Sequence, residues 1–171
     1  IDEAVSNILK VKFAMGLFEH PYSNPDFAPL VGSEEHRAVA REAVAQSQVL
    51  LKNEGDMLPL AKDLPTLYVG GAAADDIGIQ SGGWTIEWQG KKGDISPGTT
   101  ILQGIENTVS GETAVIYDKF AQFDEVAGDE PMVCLGVVGE EPYAEGQGDS
   151  ATLTLPVKEL RTINRMAEVC D

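Results

Sequence analysis

Met132-Val133-Cys134-Leu135-Gly136-Val137-Val138 runs directly into Gly139-Glu140-Glu141-Pro142-Tyr143-Ala144-Glu145-Gly146-Gln147-Gly148-Asp149. The first stretch is uncharged and reads as a strand buried on both faces, as in parallel sheets covered by helices. The second gathers the carboxylates of Glu140, Glu141, Glu145 and Asp149 among proline and glycine. It leaves the carboxyl end of a strand, where open α/β sheets place their ligands.

The flanking segments agree with that sheet. Thr66-Leu67-Tyr68-Val69 and Ala114-Val115-Ile116-Tyr117 read as further strands, and Val49-Leu50-Leu51 as a short one ended by the turn Asn53-Glu54-Gly55-Asp56. Helical spacing appears at Ile101, Ile105 and Val109, and again at Leu160, Ile163, Met166 and Val169 after Leu155-Pro156. Strand and helix alternate, which predicts an α/β fold with a mostly parallel sheet and helices on both faces. Gly70-Gly71 lets the chain turn after its strand.

The N-terminal part reads differently. Ile1, Ala4, Val5, Ile8 and Leu9 form one helical face, and Gly16 is a plausible stop. Residues 17–33, with Pro21, Pro25 and Pro29, read as an irregular linker. Ser33 before Glu34 and Glu35 then starts a second helix, the hydroxyl capping a free N–H and the acids complementing the dipole. The expected organisation is a stray helix over 1–16, a linker over 17–33 and an α/β domain over 34–171, with a further strand expected beyond Asp171.

The totals bound the function. At 171 residues with 43% hydrophobic content the chain can bury a core. A formal net charge of −16 disfavours nucleic acid and anionic membrane surfaces, since both repel the protein's mean field. A neutral ligand such as a sugar remains compatible. No apolar run is long enough for a membrane span, and no signal peptide opens the sequence. Cys134 and Cys170 lack metal-ligand spacing and are expected to be unpaired, buried thiols. His20 and His36 lack a companion motif, so no metal is expected.

Two features carry chemistry. A carboxylate cluster is by default a solvated surface, but this one follows a buried strand, is stiffened by Pro142-Tyr143, and is flanked by glycines that allow close backbone approach. Mutual repulsion among its carboxylates would raise a pKa toward that of a general acid. Gln80-Ser81-Gly82-Gly83-Trp84-Thr85-Ile86-Glu87-Trp88-Gln89-Gly90 holds both tryptophans of the chain, set among glycines. These indoles either plug the edge of the core or stack on the apolar face of a sugar ring. Gly70-Gly71-Ala72-Ala73-Ala74 fails the dinucleotide pattern, and Asp75-Asp76 would repel a pyrophosphate.

These residues carry a resemblance. Ile1-Asp2-Glu3-Ala4-Val5 through Phe13-Ala14-Met15-Gly16-Leu17-Phe18 looks like the last barrel helix of family 3 glycoside hydrolases. Leu50-Leu51-Lys52-Asn53 with Leu58-Pro59-Leu60 looks like the start of their second domain. The block 82–90 and Gly139-Glu140-x-Pro142-Tyr143-x-Glu145 with Gly148-Asp149 resemble the exo-acting β-glucan glucohydrolases and β-glucosidases of that family.

The resemblance implies a (β/α)8 barrel that carries the nucleophilic aspartate and an α/β sandwich domain that supplies the acid/base. Motif for motif, the acid/base falls on Glu145, with Glu141 as the fallback, and the sugar-clamping tryptophan on Trp88; Trp84 becomes the more structural of the pair. The implied reaction is retaining hydrolysis without a cofactor, on a β-glucan oligosaccharide or β-glucoside, by a periplasmic or secreted protein. This chain lacks the barrel, so by itself it is expected to be inactive. The rival expectation is a non-catalytic carbohydrate-binding or interaction domain.

Overall fold

The computed structural model describes residues 1–123 and 132–170. The chain divides into two compact units, Ile1–Leu58 and Pro59–Asp171.

In the first unit, helix α1 spans Asp2–Ala14, with Asp2 and Glu3 in its first turn and Lys12 in its last, the charge order that suits the helix dipole. Gly16 adopts φ +66° just beyond it, the left-handed conformation that ends helices. The proline-bearing stretch makes only a 3-10 turn, Pro25–Leu30. Helix α2 spans Glu34–Ser47, and the Ser33 hydroxyl accepts the His36 N–H at 3.4 Å. Neither helix buries a residue.

Val49-Leu50-Leu51 forms no strand, contrary to expectation: the residues are exposed and carry no ladder. A short apolar run becomes a strand only when a partner satisfies its backbone groups. Asn53 does close the expected turn. Its side chain accepts from the Leu58 N–H at 2.9 Å and donates to the Leu58 carbonyl at 3.0 Å.

The second unit is built on a three-stranded parallel sheet of β1 (Thr66–Gly70), β2 (Ala114–Asp118) and β3 (Val133–Gly136), in the order β2-β1-β3. Strand β1 pairs Leu67 with Val115 on one side and Val133 on the other. The fully buried strand is therefore β1, not β3, whose residues are half-buried or exposed. Crossing from β2 to the far side of β1 puts the first strand in the middle, and a central strand is the one covered on both faces.

Alternation along β1 divides the core. Leu67 and Val69 join Ala74 and Leu102 in one buried cluster, with Val115, Tyr117, Val133 and Leu135 packed around it. Leu102 belongs to α4 (Ile101–Glu106), which opens with a capping box: Thr100 Oγ1 accepts the Gln103 N–H while Gln103 Oε1 accepts the Thr100 N–H, each at 3.1 Å. The opposite face receives α5 (Val157–Val169), whose buried Met166 lies against Gly70. Helices thus cover both faces, and each fully buried apolar side chain contributes about 2 kcal/mol. A Cβ on Gly71, at φ +112°, would overlap the Val137 carbonyl.

Cys134 and Cys170 form a disulfide, which corrects the expectation of unpaired thiols. Cys134 faces the α5 side of β3, since its register partner is Tyr68, two residues before Gly70. Helix α5 runs back against its strand, so its C-cap, Cys170, arrives where β3 begins, and the Cα atoms stand 6.0 Å apart. Neither residue's immediate neighbours signal that meeting.

Candidate functional site

A short helix α3 (Ile77–Ser81) delivers the tryptophan segment, and β3 delivers the acidic loop. Asp76 caps α3 by accepting the Ile79 N–H at 2.9 Å and also takes the Gly93 N–H at 2.8 Å, closing the base of the segment. Between these anchors the backbone doubles back. Trp84 N–H donates to the Trp88 carbonyl at 2.9 Å and Glu87 N–H to the Thr85 carbonyl at 2.7 Å.

Trp84 and Ile86 hold φ +62° and +63°, a region that disfavours side chains and most of all β-branched ones. Each such residue costs on the order of 1–3 kcal/mol and needs surrounding structure to hold it. The result is a tight turn in which the two indoles lie 6.3 Å apart at 52°. Both are exposed, Trp84 at 70% and Trp88 at 53%, so neither plugs the core, and burial lends Trp84 no more structural a place than Trp88.

The acidic loop lies against this turn. Gln89 Oε1 accepts the Ala144 N–H at 2.8 Å, and Gln89 Nε2 reaches the Glu145 carbonyl at 3.5 Å. A Cβ on Gly83 would overlap the Tyr143 carbonyl, and one on Gly90 would collide with Pro142. Two stretches far apart in the chain are thereby brought into close backbone contact. Trp88 is next in sequence to the residue that touches Glu145.

The four carboxylates separate in role. Glu140 accepts the Tyr143 hydroxyl at 2.5 Å, which holds the Tyr143 phenol above its ordinary pKa. Asp149 accepts the Gly146 N–H at 3.3 Å. Glu141 takes Lys158 Nζ of α5 at 2.5 Å and Lys92 Nζ at 3.1 Å. Those hydrogen bonds, Lys158 first and then Lys92, lower its pKa against a smaller opposing effect of burial, the reverse of the rise expected from crowded carboxylates. Among the described residues, Glu145 is the one of the four whose carboxylate makes no hydrogen bond or ion pair.

A cleft of about 430 Å³ at the carboxyl end of the sheet is lined by Asp75, Asp76, Lys92, Tyr117, Glu141 and Glu159, among others, but not by Glu145 or Trp88. Asp75 accepts the Thr100 hydroxyl at 2.9 Å, whereas Glu159 is buried and its Oε2 has no hydrogen-bond partner among the described residues. Burial, then Asp75, Asp118 and Asp76, push the Tyr117 phenol up. The helix after Gly71 is a four-residue 3-10 turn, Ala72–Asp75, so no helix N-terminus awaits a phosphate there. Among the described residues no group of three His, Cys, Asp or Glu side chains is placed to hold a metal. Sequence reasoning does not single out Gln89, Lys92 or Lys158. Gln89 sits inside the tryptophan motif, which is a signal that could have found it; the lysines' partner is distant in the chain.

The Glycosyl hydrolase family 3 C-terminal domain matches residues 48–171. The chain is 30% identical to the lysosomal beta glucosidase of Dictyostelium discoideum across 98% of its own length and 23% of that protein's. It is 35% identical to the periplasmic beta-glucosidase of Salmonella typhimurium, over 75% of this chain and 17% of the relative. Its structure resembles that of a point mutant of the exo-1,3/1,4-beta-glucanase from a Pseudoalteromonas species, with TM-score 0.73 and 31% identity over 86% of this chain and 24% of that one. The chain therefore spans less than a quarter of the length of these relatives.

Proposed function

Since the chain belongs to glycosyl hydrolase family 3, with that family's C-terminal domain over residues 48–171, we propose that it supplies the acid/base loop of a retaining exo-acting β-glucosidase or β-glucan glucohydrolase. The observation that carries this reading is the unengaged carboxylate of Glu145, held next to an exposed tryptophan turn by Gln89. A proton donor must be near its substrate and not locked in an ion pair, and Glu141 is locked.

In this mechanism an aspartate on a barrel outside this chain attacks the anomeric carbon. Glu145 gives its proton to the leaving oxygen, so the glycosidic C–O bond breaks as the enzyme ester forms. Glu145 then takes a proton from water, which attacks the same carbon and frees the sugar and the aspartate. The two carboxyls of such a pair stand about 5–5.5 Å apart. Trp88 presents an indole face to the apolar face of the sugar. The disulfide supports a periplasmic or secreted setting, since such bonds persist in oxidising compartments.

Replacing Glu145 with Gln in the full-length enzyme tests the reading. The expected result is a fall of about 100-fold or more in kcat/KM for glucosides with poor leaving groups and little change for dinitrophenyl glucoside, whose dinitrophenolate departs without a proton. Unchanged turnover of both classes overturns it. The exposed tryptophan pair favours one alternative, a domain that only binds carbohydrate, and that alternative predicts the unchanged rates.

A further inference from the structure

The Gln89 side chain meets the acidic loop at one place, the backbone on either side of the Ala144–Glu145 peptide. Its amide oxygen accepts the Ala144 N–H at 2.8 Å, and its amide nitrogen donates a longer bond to the Glu145 carbonyl at 3.5 Å. A planar amide that engages an N–H and a C=O of consecutive residues imitates a strand partner and holds that stretch of chain in position and in rotation.

Ala144 is buried, at 7% exposure, so its N–H would be costly to leave unpaired. Glu145 has the opposite character. It is exposed and its carboxylate has no partner among the described residues, so nothing at the side-chain end orients it. What sets the origin and direction of the Glu145 side chain is its own backbone, and the side chain that grips that backbone is Gln89.

The neighbours of Gln89 make the grip stiff. Trp84 N–H closes on the Trp88 carbonyl, Gly90 N–H donates to the Glu87 carbonyl at 3.1 Å, and Gly90, at positive φ, lies against Pro142. Gln89 therefore projects from a turn that is fixed on both sides and carries Trp88 as its preceding residue.

We propose that Gln89 is the positioning residue that sets Glu145 for proton transfer and couples it to the tryptophan turn. The inference rests on Glu145 being the acid/base. Misplacing a catalytic group by about 1 Å lowers a rate by as much as 100-fold, and the loss falls on the step that needs that group. Gln89 thus acts on protonation of the leaving group and not on the whole reaction.

The test compares Gln89→Ala and the near-isosteric Gln89→Met in the full-length enzyme, with Glu145→Gln alongside. The expected result is a loss of about 10- to 100-fold in kcat/KM on disaccharides, a change within about twofold on dinitrophenyl glucoside, and faster exchange of the Ala144 amide hydrogen. An equal loss on both substrates means a general structural role and overturns the inference, as does no loss on either. If Glu145→Gln separates the two substrate classes and neither Gln89 variant does, the positioning role falls while the acid assignment stands. If Glu145→Gln fails to separate them, the acid assignment falls, and the positioning role falls with it. Gln89→Met keeps the size of the side chain, so a loss seen there comes from the missing amide.

Discussion

Gly83 lies so close beneath the carbonyl of Tyr143 that a single methyl group at Gly83 would overlap that oxygen. The obstacle is backbone, which cannot swing aside as a side-chain tip would. Gly83→Ala is therefore expected to push the acidic loop off the tryptophan turn and to destabilise the fold by about 1–3 kcal/mol. Gly104 in α4 has nothing within 4 Å of the same added carbon, so Gly104→Ala should stabilise by about 0.5–1 kcal/mol. Urea melts of the two variants should move in opposite directions.

The bond between Cys134 and Cys170 spans 36 residues. Chain-entropy arguments assign a loop of that length about 4 kcal/mol. Reduction, or Cys170→Ser, should lower the thermal midpoint by several degrees and loosen the end of α5 before the sheet. A midpoint indifferent to reductant would show that helix packing alone secures that end.

Glu141 titrates below the ordinary carboxylate range because Lys158 and then Lys92 hold its charged form. A depressed folded pKa means that the unfolded chain takes up the proton first as pH falls. The contribution of the lysine pairs is present above the unfolded value, near about pH 4.3, and is lost as pH drops through the lower folded value. Because the Glu141 side chain is 48% exposed, solvent screening keeps it under about 1 kcal/mol. Thermal midpoints of the native protein and Glu141→Gln should differ slightly at neutral pH and converge in acid.

If Trp88 stacks on a sugar as proposed, Trp88→Ala should weaken glucose binding about tenfold in the full-length enzyme. The matching change at Trp84 keeps the backbone bond to the Trp88 carbonyl and removes only an exposed indole, so it should lower the affinity by less than the Trp88 change does. Titrating glucose against the remaining indole fluorescence of each variant distinguishes these effects.

Local pattern was enough for much of the fold. Helical spacing located α1, α4 and α5, and short uncharged runs rich in apolar residues located β1 and β2, because both signals are carried by neighbouring positions. Val49-Leu50-Leu51 misled for the same reason: apolar character marks what could be a strand, but a ladder needs a partner that local sequence does not specify. The rank of β1 over β3 was equally hidden, since which strand is central follows from the route of the crossovers.

The identity of the two loops was legible by itself, from indoles set among glycines and carboxylates set after a strand. Composition and order along the chain determine that much, because they establish which backbone shapes are allowed and which groups are on offer. That Gln89 holds the Ala144 N–H and the Glu145 carbonyl, that two lysines silence Glu141, and that Cys134 meets Cys170 were decided only when the sheet brought distant segments within a few ångströms. Hydrogen bonds, ion pairs and disulfides act over such short ranges that they exist only where tertiary packing creates the contact.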